Sequence, residues 1–234
     1  MKRFAVLVFL LAAGPIAMPV HAVEPGIVYS PQVEQGEWEV EYRSFTIVDH
    51  GHDENGLWNH HLALGYGVNA WWWTELVTEY EKPRNEGGHF EAFEWENRFQ
   101  FTQQGQYFVD VGGIVELEKK HQGDGKEVKL GLLFERDIAD TTLTFDWLVG
   151  REYGEDASSK WQQAYRAQWR WRHFPAFQPL VELQADEHAM NIGPGFTGKT
   201  KIGNQKIAYT TAWLIRTSGD TPKNLLRFEV ELEF

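Results

Sequence analysis

The feature that most constrains this chain is a two-residue periodicity, sustained over segments of about ten to thirteen residues, in which one register is free of charge. From Gln106 to Glu118, Tyr107, Val109, Val111, Gly113, Val115 and Leu117 share a face, and Phe108, Asp110, Gly112, Ile114, Glu116 and Glu118 share the other. Val128, Leu130, Leu132 and Phe134 repeat the pattern against Lys129, Gly131, Leu133 and Glu135. Leu143, Phe145, Trp147 and Val149 do so against Thr144, Asp146 and Leu148. Tyr165, Ala167, Trp169 and Trp171 oppose Arg166, Gln168, Arg170 and Arg172, and Leu226, Phe228, Val230, Leu232 and Phe234 oppose Arg227, Glu229, Glu231 and Glu233. Alternation alone fits any half-buried antiparallel sheet. The length of the segments does not, because soluble strands cluster near five or six residues, whereas a tilted strand crossing a bilayer needs about nine to eleven. Tyr and Trp near expected strand ends, at Trp72, Tyr80, Trp95, Tyr107, Trp161 and Trp171, fit an aromatic girdle at a membrane interface.

Helical membrane spans are not expected. The longest uncharged run, Asn55 to Thr74, carries Asn59, His60, His61 and Asn69, which would burden a helix in hydrocarbon. The first 22 residues read as a signal peptide instead: Lys2 and Arg3, a short apolar stretch from Phe4 to Ala13, and a small-residue cleavage site at Val20-His21-Ala22. Residues 23–234 are then one domain. Twelve strands are expected near 37–48, 58–69, 71–82, 90–102, 106–119, 126–137, 141–151, 161–172, 178–188, 193–203, 206–217 and 223–234. Connections alternate in length: Asp49–Leu57, Pro83–His89, Lys120–Gly125 and Glu152–Lys160 are long and polar, whereas Ala70, Gln103–Gly105 and Asn204–Gln205 are tight. Short turns belong to the periplasmic end of bacterial barrels and long loops to the outside, so an even strand number with both termini periplasmic keeps the pattern. Gly193-Pro194-Gly195 and Gly198 dilute the period of 193–203; merging it gives ten, and fourteen is the next even count above twelve. In the first strand Phe45 and Ile47 leave the register of Trp38, Val40 and Tyr42, which predicts a bulge near Ser44.

The signal peptide, the alternation along the whole mature chain and a last strand ending in Phe228 and C-terminal Phe234 resemble Gram-negative outer-membrane β-barrel proteins. From Ile192-Gly193-Pro194-Gly195 to the end, the chain also resembles porin-like proteins of the aromatic-degradation type. The resemblance implies an all-β, transmembrane, antiparallel up-and-down barrel in the outer membrane. Its partners would be outer-membrane lipids, lipopolysaccharide and, through Phe228 and Phe234, the barrel-assembly machinery.

With the apolar register facing lipid, the lumen receives Glu94, Glu96, Arg98, Asp110, Glu116, Lys129, Glu135, Asp146, Arg166, Arg170, Arg172, Glu182, Asp186, Arg227, Glu229 and Glu231. Twelve strands give a backbone radius of roughly 12 Å, and long charged side chains reach about 6 Å inward. The interior is therefore either a narrow wet pore for small solutes or a closed salt-bridge network. Inward Gly65, Gly67, Gly112 and Gly131 either leave room for solute or make space for neighbouring side chains. A formal net charge of −12 argues against nucleic acid. The absence of Cys removes thiolate chemistry and sulfur-bound zinc. No cofactor and no metal site is expected; His50 and His52 in the first loop, with His60-His61 beyond, are of metal-binding type but lack structural-site spacing. Trp71-Trp72-Trp73 begins a strand after a turn and reads as an interface anchor. Of Ser30, Ser44, Ser158, Ser159 and Ser218, none has an evident His partner, so no catalytic constellation is expected; after a channel, the alternatives are a closed barrel with a structural or surface-interaction role and, third, an outer-membrane lipid-modifying enzyme.

Overall fold

The computed structural model describes residues 26–154, 160–203, 205–219 and 221–234. The expected signal peptide and its cleavage point, with Ser158 and Ser159, lie outside them. Twelve strands form one closed antiparallel barrel, each paired with its neighbours in sequence. They are β1 (Trp38–Ile47), β2 (Trp58–Asn69), β3 (Trp72–Lys82), β4 (His89–Gln100), β5 (Asp110–Lys120), β6 (Lys126–Ile138), β7 (Thr141–Tyr153), β8 (Gln162–Trp171), β9 (Gln178–Asp186), β10 (Met190–Ile202), β11 (Gln205–Ser218) and β12 (Asn224–Glu233). Closure is made by β1 on β12, from Glu39 opposite Glu233 to Ile47 opposite Leu225. A closed barrel leaves no unpaired sheet edge, the condition a sheet must meet in a hydrocarbon medium.

The usual distribution of polarity is inverted. Outward side chains such as Leu76 (64% exposed), Phe93 (57%) and Trp213 (54%) form an uncovered apolar belt, while Glu75, Glu96, Asp146 and Glu182 inside are at most 1% exposed. A belt of this kind is stable against lipid and an aggregation liability in water.

The expected bulge near Ser44 is absent. β1 runs in unbroken register with both β2 and β12. Phe45 and Ile47 stay on the inward register of Glu41 and Arg43 and pack on Ala212, Leu214, Leu225 and Leu57. The lumen is locally apolar there, so the sequence pattern changes while the backbone does not. Register shifts occur instead at Gly67/Asn69, Glu79/Tyr80 and Met190/Asn191.

The weak-period segment is a complete strand. In β10, a Cβ on Gly193 would lie 1.7 Å from the Trp213 carbonyl oxygen, so glycine there serves close strand approach. The expected tight Gln103–Gly105 turn is also longer than anticipated: β4 ends at Gln100 and β5 begins at Asp110. Asp110 Oδ1 accepts the Gly105 amide at 2.7 Å and Thr102 Oγ1 accepts that of Val111 at 2.8 Å, which folds the 101–109 segment on itself and takes Tyr107 out of the strand.

Candidate functional site: the charged lumen

Two arginine hubs organise the interior. On β1, Arg43 donates to Glu96 Oε1 at 2.7 Å, Glu75 Oε1 at 2.6 Å and Glu41 Oε2 at 2.9 Å, with a further contact from its Nε to Glu41. On β12, Arg227 donates to Glu182 Oε2 and Glu229 Oε2, both at 2.6 Å, and Gln184 donates to Glu182 Oε1 at 2.8 Å. Each hub ties strands on different arcs of the wall, and each guanidinium is matched to carboxylates, as burial of a charge requires.

Between the hubs lies an element that periodicity could not reveal. Residues 26–35 are a coil inside the barrel, running between mid-height and the end where β1 begins and β12 terminates. Its hydrogen bonds to the wall run mostly through its backbone. The Gly26 carbonyl accepts from Gln184 at 2.7 Å and that of Ile27 from Arg166 at 2.9 Å. The Tyr29 amide donates to Asp146 Oδ2 at 2.8 Å, that of Val33 to Gln100 Oε1 at 2.9 Å, and that of Gly36 to the Gly67 carbonyl at 2.7 Å. The Tyr29 ring packs with Ile114, Leu133 and Leu148, and the guanidiniums of Arg98 and Arg166 each lie 5.9 Å from its centroid. A cavity of about 50 Å³, room for a few waters, remains beside it, bordered by Gly26, Tyr29, Glu79, Glu94, Glu96 and Glu116 among others.

The inward glycines are explained by what fills their space. A Cβ on Gly67 would meet the Glu34 carbonyl oxygen at 1.9 Å, and one on Gly112 would meet Pro31 at 2.8 Å; both make way for the coil. Gly65 makes way for Trp73, and Gly131 for Leu148 and Ile114. None of the four opens onto free lumen.

Where the coil meets β1 and β11, Lys206 bridges Glu37 at 2.8 Å, Glu233 at 3.0 Å and Glu34 at 3.4 Å. Burial, with Glu34 and Glu233 alongside, pushes the Glu37 carboxyl up to about 7 against the pull of Lys206. The hydrogen bond it shares with Glu37 holds Glu34 below the usual carboxylate range.

Of the sixteen expected lumen residues, all but Arg172 lie on the inward register: Glu94, Glu96, Arg98, Asp110, Glu116, Lys129, Glu135, Asp146, Arg166, Arg170, Glu182, Asp186, Arg227, Glu229 and Glu231. Asp110 is spent on the 101–109 turn, and Asp186 Oδ1 accepts the amides of His188 and Ala189 beyond β9. Arg172, just past β8, does not join Arg166 and Arg170; it donates to Asp137 Oδ2 at 3.0 Å and to the Ala139 carbonyl at 2.7 Å, fastening a turn at the rim. Sequence reasoning missed Glu39, Glu41, Arg43, Glu75 and Glu79, although all five alternate with Trp38, Val40, Tyr42, Leu76 and Tyr80.

The Trp triplet divides. Trp71 and Trp72 stack outside, whereas Trp73 is buried inside, donates to Glu75 Oε2 at 3.1 Å and has Arg98 5.2 Å from its ring. Among the other aromatics, Trp72 and Trp171 stand at the end where β1 begins, Tyr80 and Trp161 towards the opposite one, and Trp95 halfway along β4 opposite Leu76 and Leu117.

His60 and His61 diverge, the first stacking outside on Trp58 and the second lying inside 3.3 Å from Glu79. His52 Nδ1 accepts the Glu54 amide within the first loop. The amides of Lys223 and Gly51 hold the nearby Asp49 carboxyl below its ordinary range. Among the described residues, the carboxylate groups compact enough for a metal ion are Glu39–Glu41–Glu75 and Glu39–Glu231–Glu233. Arg43 bonds both Glu41 and Glu75, and Lys206 bridges Glu233. Ser44 does stand opposite His60 in the β1–β2 register, a pairing the sequence reading overlooked, but on the outer face, with His60 Nδ1 2.7 Å from Tyr42 Oη.

An apolar belt outside, a charged interior and full closure define a closed antiparallel β-barrel of the membrane-spanning kind. Solved structures with this fold include the COG4313 outer membrane channel from Pseudomonas putida F1 (TM-score 0.58, 12% identity, 90% of this chain and 98% of that one). The KdgM porin in complex with disordered oligogalacturonate gives 0.56 at 8% identity over 84% and 98%. Omp33 of Acinetobacter baumannii gives 0.50 at 10% identity over 86% and 99%. No protein-family model and no curated protein matches the sequence.

Proposed function

We propose that this chain, freed of residues 1–22, stands in the outer membrane with both termini in the periplasm and serves as a narrow conduit for small solutes. The observation that carries this reading is what blocks the lumen. The obstruction is a coil held by a handful of backbone hydrogen bonds and one buried ring, Tyr29, not a strand built into the ladder. Net hydrogen bonds are worth about 1 kcal/mol each, so such a coil can be displaced without touching the barrel. The fold shared with outer-membrane channels supports the same reading. On this reading no residue acts as a catalyst; lipopolysaccharide and phospholipid contact the belt, and the strand ending in Phe228 and Phe234 is what the assembly machinery engages. The end where β1 begins and β12 terminates, which the coil reaches, is then the periplasmic one.

Planar-bilayer recording tests the proposal. The full chain is expected to give small ohmic steps, and a variant lacking residues 26–35 larger ones. A second reading, a sealed barrel with a structural or surface role, is favoured by the Arg43 and Arg227 hubs, which bind the wall across the lumen. Silence from both proteins, each folded by its heat-modifiable migration, would establish the sealed barrel and end the conduit reading.

A further inference from the structure

We infer that the mid-lumen cavity beside Tyr29 is a binding site for an alkylammonium cation, the class of small solute the conduit would admit; access from solution rests on the channel reading above. Glu96 on β4 and Glu116 on β5 stand directly opposite one another at 1% and 3% exposure, with Glu75 opposite Glu96 on its other side. Like charges facing each other across a ladder repel, and burial removes the water that would screen them.

The second observation is the hydrogen bonding. Arg43 engages Glu96 Oε1 and Tyr29 neighbours the same carboxylate, yet no donor meets Oε2, which is buried. Lys129 lies 3.8 Å from Glu116 Oε2, beyond hydrogen-bond reach, and Glu116 Oε1 is likewise buried without a partner. Both residues border the same cavity, together with Glu79 and Glu94. Arg227, also on the cavity wall, has each terminal nitrogen committed to a carboxylate. Apart from Arg227 Nε, the donors of that guanidinium are taken, while Glu96 Oε2 and Glu116 Oε1 are not, so the complementary ligand for this pair is positively charged and brings N–H groups.

Geometry separates an ammonium from a metal. These carboxylates are not among the compact triads, whose oxygens lie within 4.8 Å of one another. Calcium draws six to eight oxygens in to about 2.3–2.6 Å, whereas an ammonium directs three divergent N–H donors at about 2.7–2.9 Å. A volume of about 50 Å³ suits a head of a few heavy atoms and excludes a tetraalkyl cation.

The test is the urea-unfolding midpoint of the purified full-length barrel in detergent, followed by tryptophan fluorescence, in methylammonium, sodium or tetraethylammonium chloride at equal ionic strength. A saturable rise with methylammonium alone is expected. Glu96→Gln/Glu116→Gln should lower the apparent methylammonium affinity at least about tenfold, the equivalent of one charge-assisted hydrogen bond. Should the double variant not fold, Glu116→Gln alone is expected to weaken binding in the same direction. A midpoint that responds to methylammonium no more than to sodium, or equally in wild type and variant, overturns the inference. Conductance is read separately: steps in a bilayer with a flat midpoint defeat this inference and leave the channel standing, while saturable stabilisation without steps does the converse.

Discussion

Gly67→Ala isolates the seating of the internal coil. The added Cβ would sit 1.9 Å from the Glu34 carbonyl oxygen and 2.9 Å from its carbon, both backbone atoms that no rotamer change can move aside. A carbon–oxygen contact settles near 3.3 Å, so the Glu34 peptide must retreat by about 1.4 Å. Two backbone hydrogen bonds span this point, Gly36 N to Gly67 O at 2.7 Å and Gly67 N to Glu37 O at 2.9 Å, and a retreat of that size breaks both. At about 1 kcal/mol each, seating weakens by about 2 kcal/mol, and the ratio of displaced to seated coil rises about thirtyfold. The strand itself tolerates alanine, so the barrel should form. Release is read by chymotryptic cleavage after Tyr29, a residue 4% exposed while the coil is seated, scored by mass spectrometry of the N-terminal fragment. The same protein should spend more time in a large-conductance state in bilayers. If a folded Gly67→Ala barrel shows wild-type cleavage at Tyr29 and wild-type steps, the coil does not depend on this seat and the reasoning fails.

Other expectations concern pH, the second hub and one turn. Glu37 carries a folded-state value of about 7 against an ordinary 4.5, so the seated state holds a proton the free chain has lost. Its contribution is complete below 4.5, declines as pH rises through that window and is gone above about 7, so cleavage at Tyr29 should increase between about pH 5 and 7 and level off above it. Glu37→Gln should flatten that profile; an unaltered profile would point to another group. Arg227→Met leaves Glu182 and Glu229 buried without their shared cation and should cost about 3–5 kcal/mol in urea unfolding, with partial recovery in Arg227→Met/Glu182→Gln. A loss under about 1 kcal/mol would show that the hub contributes little. Ala139, at φ +49° in the β6–β7 turn, occupies a left-handed conformation that glycine adopts freely; Ala139→Gly should stabilise by about 1 kcal/mol, and a lower unfolding midpoint would contradict it.

How much of this could be read from the sequence follows from what repeats and what does not. Lipid contact acts on every second residue of every strand, so Leu226, Phe228, Val230 and Leu232 announce their face without knowledge of any neighbour. The twelve-strand count was legible for the same reason. It stayed legible across Gly193 and Pro194, because Ile192 and Phe196 continue the outward register on either side. The pattern misled where the interior itself changes polarity. Phe45 and Ile47 look like a slipped register only on the premise that inward means charged. Trp73 looks like a third interface anchor only on the premise that aromatic means outward; it faces in because Glu75 accepts its indole N–H and Arg98 covers its ring.

The contents of the lumen were legible as a set and opaque as an arrangement. Alternation assigns Glu96, Glu116 and Arg227 to the interior, but which carboxylate an arginine reaches depends on the stagger between strands, which no single strand encodes. The coil was hidden for a stronger reason. Gly26 to Gln35 has no period, and its bonds run through backbone amides and carbonyls, which every sequence possesses. Its trace was left on the opposite surface, in glycines at 67 and 112 that β-propensity disfavours and whose missing side chains match the Glu34 carbonyl and Pro31. An inward glycine in a barrel strand is therefore informative about what passes beside it. Gly67→Ala puts that inference to the test, since the substitution changes nothing about the strand except the volume the coil requires.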